Sequence, residues 1–66
     1  MDVVPHLAYA ALSDESNRVR RQATLMLVFQ PRENRIRRIL LKIERTAKDQ
    51  KILTSARYGL AMYDDG

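Results

Sequence analysis

The 66-residue sequence contains no cysteine and no tryptophan, and it has only two glycines and two prolines. The absence of cysteine excludes disulfides and thiolate metal sites, and the single histidine cannot complete a zinc shell of the usual kind. No apolar run approaches the roughly 18 residues that a membrane span requires, and the N-terminus lacks the basic segment of a signal peptide. We therefore expect a cytoplasmic protein that has no membrane contact, no metal and no other cofactor.

The composition favours regular structure, because 45% of the residues are hydrophobic and 30% are charged. Such a composition argues against intrinsic disorder. A chain of this length nevertheless buries too little surface for its core alone to give much stability. With disulfides and metals excluded, the remaining sources of support are self-association and a bound partner.

The positive charge is concentrated in the middle of the chain. All twelve Lys and Arg residues lie between Arg18 and Arg57, a segment with three acids, which gives 12 − 3 = +9, while five acids at the two ends restore the total of +4. Nine of the twelve cations are arginine, whose planar guanidinium suits carboxylate and phosphate partners. This asymmetry predicts a partner with an acidic surface.

Apolar residues at three- and four-residue steps predict a short first helix, in which Pro5 fits the first turn. Ser13 or Asp14 is expected to cap a second helix over residues 15–29. Four of its residues are predicted to point inward: Val19, Ala23, Met26 and Leu27. Because Leu25, Val28 and Phe29 widen the apolar surface, the pattern predicts burial on more than one side.

A third helix is predicted to begin near Pro31, with an inward stripe of Ile36, Ile39, Leu40 and Ile43. The apolar phase slips after this stripe, so we expect a turn near residues 46–50, with Asp49 capping a fourth helix that ends near Tyr63. The sequence thus predicts one all-α mini-domain over 1–66, a small bundle of about four short helices in two αα-hairpins. The hairpins cover 3–29 and 31–63, and residues 64–66 form a frayed tail.

A shift of 33 residues aligns six predicted inward positions of the two hairpins, and the first hairpin resembles a known pattern. Asp14, Val19, Arg20, Ala23 and Leu27 are similar to the second half of a HEAT repeat, a match that covers residues 3–29, with a weaker second copy over 36–60 in which Leu53 stands in place of the second Arg. The resemblance implies that Asp14 and Arg20 serve a polar ladder between stacked hairpins. It also implies a core role for the three apolar residues. Because about three such repeats are usually needed for stability, it implies self-association or docking on a larger protein.

Two groups of residues are candidates for partner binding. Arg35, Arg38, Lys42 and Arg45 fall at helical spacings of 0, 3, 7 and 10 and form one face, called here the basic stripe. This face is either a solvated surface partly neutralised by Glu33 and Glu44, or a contact surface for an acidic protein or for phosphates. The predicted apolar contact residues are Phe29, Met62 and Tyr63.

No catalytic constellation is apparent, because the Ser and Thr hydroxyls have no plausible base except His6 and the chain has no glycine-rich phosphate loop. We expect no catalytic, cofactor-binding or metal-binding residues. The leading hypothesis is a small non-enzymatic adaptor or regulator, of a size common among phage accessory proteins, that binds a protein through an apolar face flanked by an Arg-rich helix. The alternatives are a small basic nucleic-acid-binding protein and a self-assembling structural or virion-type subunit, in which copies form a homo-oligomer.

Overall fold

The computed structural model describes residues 1–64, and these form four α-helices and no strand. The helices are α1 (Val4–Ser13), α2 (Asn17–Val28), α3 (Asn34–Thr46) and α4 (Gln50–Asp64). The predicted all-α fold is confirmed, as is the turn near residues 46–50. Of the predicted frayed tail, Asp64 is the last residue of α4, and residues 65–66 lie outside the described part.

The start of α2 differs from the prediction. The side chain that caps this helix is Ser16, whose Oγ accepts a hydrogen bond from the Val19 amide at 3.3 Å. Asp14 instead supports the loop, because its Oδ1 accepts from the Ser16 amide at 2.9 Å. The prediction of Ser13 or Asp14 as the cap was therefore wrong by two to three residues, since this loop has several side chains able to accept from a free amide.

The start of α4 agrees with the prediction. Asp49 Oδ1 accepts from the amides of Lys51 at 2.8 Å and Ile52 at 3.2 Å, so this carboxylate binds two of the otherwise unpaired donors of the first turn. The helix break predicted from the phase slip thus has a capping residue that holds it. Without the break, the apolar residues of α4 could not face the same core as those of α3.

The loop between α2 and α3 is longer than predicted, because α3 begins at Asn34 rather than near Pro31. Two hydrogen bonds attach this loop to the end of α4. The Arg32 guanidinium donates to the Met62 carbonyl at 2.7 Å, and the Glu33 amide donates to the Tyr63 hydroxyl at 3.1 Å. These bonds hold the two ends of the second hairpin together.

In the packed bundle, α1 lies against α2, α3 against α4, and α2 against α4, so α2 and α4 each contact two principal neighbours. The described part has extents of 33 × 29 × 15 Å, a flattened shape two helices thick. The core is a single cluster of apolar residues: Val4, Leu7, Ala11, Ala23, Leu27, Val28, Ile36, Leu40, Ile43, Ile52, Ala56 and Leu60. The side chain of Thr24 is also buried, and its hydroxyl donates a hydrogen bond to the Arg20 carbonyl at 2.8 Å. This hydroxyl is therefore not left unpaired in the core.

Gly59 allows α4 to approach α2 closely. A Cβ atom built at this position would lie 2.7 Å from Val28 Cγ2 and 3.0 Å from Leu40 Cδ1. Real Cβ atoms do not make contacts as short as the first, so the packing of these two helices depends on a residue without a side chain. Val28 therefore marks the side of α2 that α4 covers.

Two predicted core positions are corrected by the structure. Val19 and Met26 are 38% and 52% exposed, whereas the other predicted inward residues of α2, Ala23 and Leu27, are buried. The reason is that α2 is apolar around most of its circumference, while α1 and α4 cover only part of it. Sequence periodicity alone could not show which part stays uncovered.

Candidate functional site

The basic stripe lies on α3, with its four side chains exposed on the face opposite the buried stripe of Ile36, Leu40 and Ile43. Its members do not share one environment. Arg35 forms ion pairs with Glu33, at 2.6 Å between Nε and Oε1, and with Asp2. Arg38, Lys42 and Arg45 have no carboxylate partner among the described side chains. They lie at spacings of four and three residues and form a continuous cationic row.

The contact between Asp2 and Arg35 joins the N-terminus to α3. The Asp2 carboxylate accepts hydrogen bonds from the Arg35 guanidinium and, at 3.1 Å, from the Val4 amide. These hydrogen bonds lower the pKa of Asp2, and the bond from Arg35 has the largest effect. The two carboxylates beside Arg35 raise the pKa of its guanidinium. Because Asp2 already occupies Arg35, the uncompensated charge of the basic stripe is at its other three members.

If the basic stripe is a solvated surface, Glu44 is one of the two acids predicted to neutralise part of it, but in the structure Glu44 faces another helix. Its carboxylate lies 3.4 Å from Arg57 Nε of α4. Glu33 does neutralise part of the basic stripe through Arg35. The structure therefore leaves the Arg38, Lys42 and Arg45 end of this face more basic than the sequence suggested.

An uncovered apolar surface lies on α2 and its C-terminal cap. Its members are Val19, Gln22, Leu25, Met26 and Phe29, called here the α2 outer face. Leu25 is 36%, Met26 52% and Phe29 76% exposed, and together with Gln22 they line a shallow open groove. At 100° per residue, Met26 points roughly 160° away from Val28. The α2 outer face is thus turned away from α4.

Of the three predicted apolar contact residues, only Phe29 belongs to this surface. Met62 and Tyr63 are partly buried and pack against the core. Both also take part in the bonds that hold the α2–α3 loop, through the Met62 carbonyl and the Tyr63 hydroxyl. Leu25 and Met26 were not predicted as surface residues, although the excess of apolar residues around α2 indicated that one side stays uncovered.

Asp14 and Arg20, the residues that the HEAT resemblance assigns to a ladder, do meet in the structure. The Arg20 guanidinium donates to the Asp14 backbone carbonyl, within one hairpin. A ladder between stacked hairpins would use the Asp14 carboxylate, which here accepts from the Ser16 amide. The ladder role therefore stays a prediction of the resemblance.

A cleft of about 400 Å³ opens between the α1–α2 and α3–α4 loops, and Arg20, Thr46, Lys48 and Asp49 supply much of its polar lining. Three of these four residues have local partners. Arg20 holds the Asp14 carbonyl, Asp49 caps α4, and the Thr46 hydroxyl donates to the Lys42 carbonyl at 2.8 Å. These contacts show that Arg20, Asp49 and Thr46 form local hydrogen bonds at helix ends and in a loop.

Two further features concern sites of other kinds. In residues 1–64, no group of three or more His, Cys, Asp or Glu side chains is placed to hold a metal ion. The four described helices do not include one with the length and apolarity needed to cross a bilayer. The surfaces that stand out on the described chain are thus the basic stripe and the α2 outer face.

Comparison of the chain with protein-family models, with curated proteins and with solved structures gave no match.

Proposed function

We propose that this protein is a small non-enzymatic helical adaptor or regulator that binds a protein partner with an acidic surface. The observation that carries this proposal is the coexistence of an exposed apolar helix face with uncompensated cations. Met26 on α2 is 52% exposed and Phe29, at its C-terminal cap, is 76% exposed, while Arg38, Lys42 and Arg45 are exposed on α3. Burying apolar groups supplies affinity, and a cationic row steers an acidic partner to the surface.

The size of the chain supports the same proposal. With 66 residues and no disulfide, its core is close to the lower limit for an independently stable domain. Covering the α2 outer face would add apolar burial at about 25 cal/mol per Å² and would stabilise the folded state by mass action. A partner that binds only the folded chain therefore contributes to both function and stability.

The test uses a matched pair of triple variants. Arg38→Ala/Lys42→Ala/Arg45→Ala removes three charges of the basic stripe, and Arg37→Ala/Lys48→Ala/Lys51→Ala removes three exposed charges elsewhere, so both carry a net charge of +4 − 3 = +1. The tagged proteins are used to capture partners from the source lysate, with and without nuclease. The affinity of the captured partner is then measured across a salt series.

We expect a stoichiometric protein partner that survives nuclease. The basic-stripe variant should bind it at least tenfold more weakly and with a flatter salt dependence, and the control variant should keep most of its affinity. Equal losses in the two variants would contradict a specific role for the basic stripe. Loss of every partner after nuclease would instead support a nucleic-acid ligand, with affinity falling steeply as salt rises.

A further inference from the structure

We infer that the α2 outer face is a docking groove for an amphipathic helix of the partner whose flanking residues are acidic. This inference rests on the proposed function and names the element that the partner supplies. It is distinct from the basic stripe, which lies on α3. Three features of α2 carry it: the shape of the groove, the charge of the helix and the way in which α4 covers the opposite side.

The shape of the face suits a helix. Leu25 and Met26 lie three and four residues after Gln22, Phe29 lies four and three residues after them, and the four side chains line one shallow open groove. From Val19 to Phe29 the face is about 15 Å long, the length of roughly three helical turns. A groove of this form accepts the side chains of a second helix that repeat at i, i+3 or i+4, and i+7.

The positive charge of α2 indicates that the residues beside the apolar row of the partner's helix are acidic. Residues 17–28 include Arg18, Arg20 and Arg21 and no acid. Arg20 is engaged with the Asp14 carbonyl, while Arg18 and Arg21 have no carboxylate partner among the described side chains. Cations in the first turns of a helix oppose its dipole. Carboxylates of a bound helix would offset this unfavourable arrangement, because they bring opposite charge to the same end.

The same charges argue against a second copy as the occupant. Pairing two α2 helices would bring six arginines and no acid onto two adjacent helices, since each α2 contributes three. An acidic helix replaces that repulsion with attraction.

Inside the chain, the covered side of α2 already has a helix packed against it, because α4 approaches Val28 closely at Gly59. A partner helix on the outer face would repeat this packing on the opposite side.

The probe for the test is a synthetic peptide of about 14 residues, with Leu at i, i+3, i+4 and i+7 positions and Glu on both flanks of the apolar row. One control peptide replaces every Glu with Lys, and another contains the same residues in an order that removes the helical spacing. Each is titrated into the full-length ¹⁵N-labelled protein, and amide shifts are followed by NMR. The acidic peptide should give saturable shifts at residues 19–29, and the two control peptides should bind at least tenfold more weakly.

Variants of the protein distinguish binding of the peptide at the groove from nonspecific binding elsewhere on the surface. Leu25→Glu/Phe29→Glu should weaken binding of the acidic peptide at least tenfold. Tyr9→Glu/Tyr58→Glu, which adds the same two negative charges at aromatics of α1 and α4 that are 73% and 60% exposed, should change it less than twofold. All the substituted side chains are exposed, so circular dichroism and urea unfolding should show an intact fold. A groove variant that unfolds is replaced by Met26→Gln, which keeps the volume of the side chain and removes its apolar character.

Three results would overturn the inference. One is the absence of saturable shifts up to about 1 mM peptide. Another is a set of shifts confined to the basic stripe on α3, which would leave the proposed function intact and exclude the groove. The third is a mass in sedimentation experiments that rises with concentration and returns to the monomer value in Leu25→Glu/Phe29→Glu, because that would make a second copy the occupant.

Discussion

Replacing Gly59 with alanine tests the packing of α4 on α2 in a way that separates two opposing effects. Alanine is favoured over glycine inside a helix by about 1 kcal/mol. Against this, the new methyl group would lie 2.7 Å from Val28 Cγ2 and 3.0 Å from Leu40 Cδ1. Overfilling a packed site of this kind costs about 1–3 kcal/mol, so the steric cost should exceed the gain in helix propensity.

We therefore expect Gly59→Ala to lower the free energy of unfolding by about 1 kcal/mol, the difference between the middle of the range for the steric cost and the gain in helix propensity. The sign should reverse in a Val28→Ala background. There Cγ2 is absent, the next atom of residue 28 is Cβ at 3.5 Å, an ordinary contact, and only the flexible end of Leu40 must move. The same substitution should then raise the free energy of unfolding by about 0.5–1 kcal/mol.

The assay is urea unfolding followed by circular dichroism for the four proteins of this double-mutant cycle. The expected coupling between the two positions is about 1.5–2 kcal/mol. A small domain has only a few kcal/mol of stability in total, so the unfolding curves should be recorded near 10–20 °C, at about the temperature where stability is greatest. The reasoning is refuted if Gly59→Ala stabilises the protein that retains Val28, or if its effect is the same in both backgrounds.

Two further predictions concern the helix ends. Asp49→Ala should lower the free energy of unfolding by about 1 kcal/mol, because Asp49 caps α4, whereas Asp49→Asn should lose much less; equal losses in urea unfolding would exclude the cap as the cause. For the pair of Asp2 and Arg35, the lowered pKa of Asp2 means that its contribution to stability is present above the ordinary value of 3.8 and is lost as pH falls through the folded-state pKa. Arg35→Ala should raise the pKa of Asp2 measured by NMR, and an unchanged titration would show that the pair does not persist in solution.

The sequence predicts an element correctly where most of its apolar residues lie on one face. Most apolar residues of α3 lie on one stripe, and most of its other residues are charged. Ile36, Leu40 and Ile43 of this stripe are buried as predicted. The phase slip after Ile43 located the third loop, since a continuous helix would have turned the later apolar residues away from the core. Asp49 followed from the same argument, because a helix that starts there needs an acceptor at its N-terminus.

The choice among neighbouring capping residues, and features that depend on contacts between helices and loops distant in sequence, were not predicted correctly. Several residues before α2 could cap it, and the bundle uses Ser16 rather than Ser13 or Asp14. Met62 and Tyr63 were predicted at a partner surface, yet they pack against the core and hold the loop before α3. Nothing local to the last turn of α4 indicates that the α2–α3 loop passes beside it.

The sequence by itself determined four helices, the break between α3 and α4, and a basic face on α3, because these depend on spacings within single segments. Only the tertiary structure decided which side of α2 remains uncovered. That helix has apolar residues in almost every direction, and its exposed side is the one that α1 and α4 do not reach. The position of the α2 outer face is thus set by the packing of the whole bundle, in particular by the close approach that Gly59 permits at Val28.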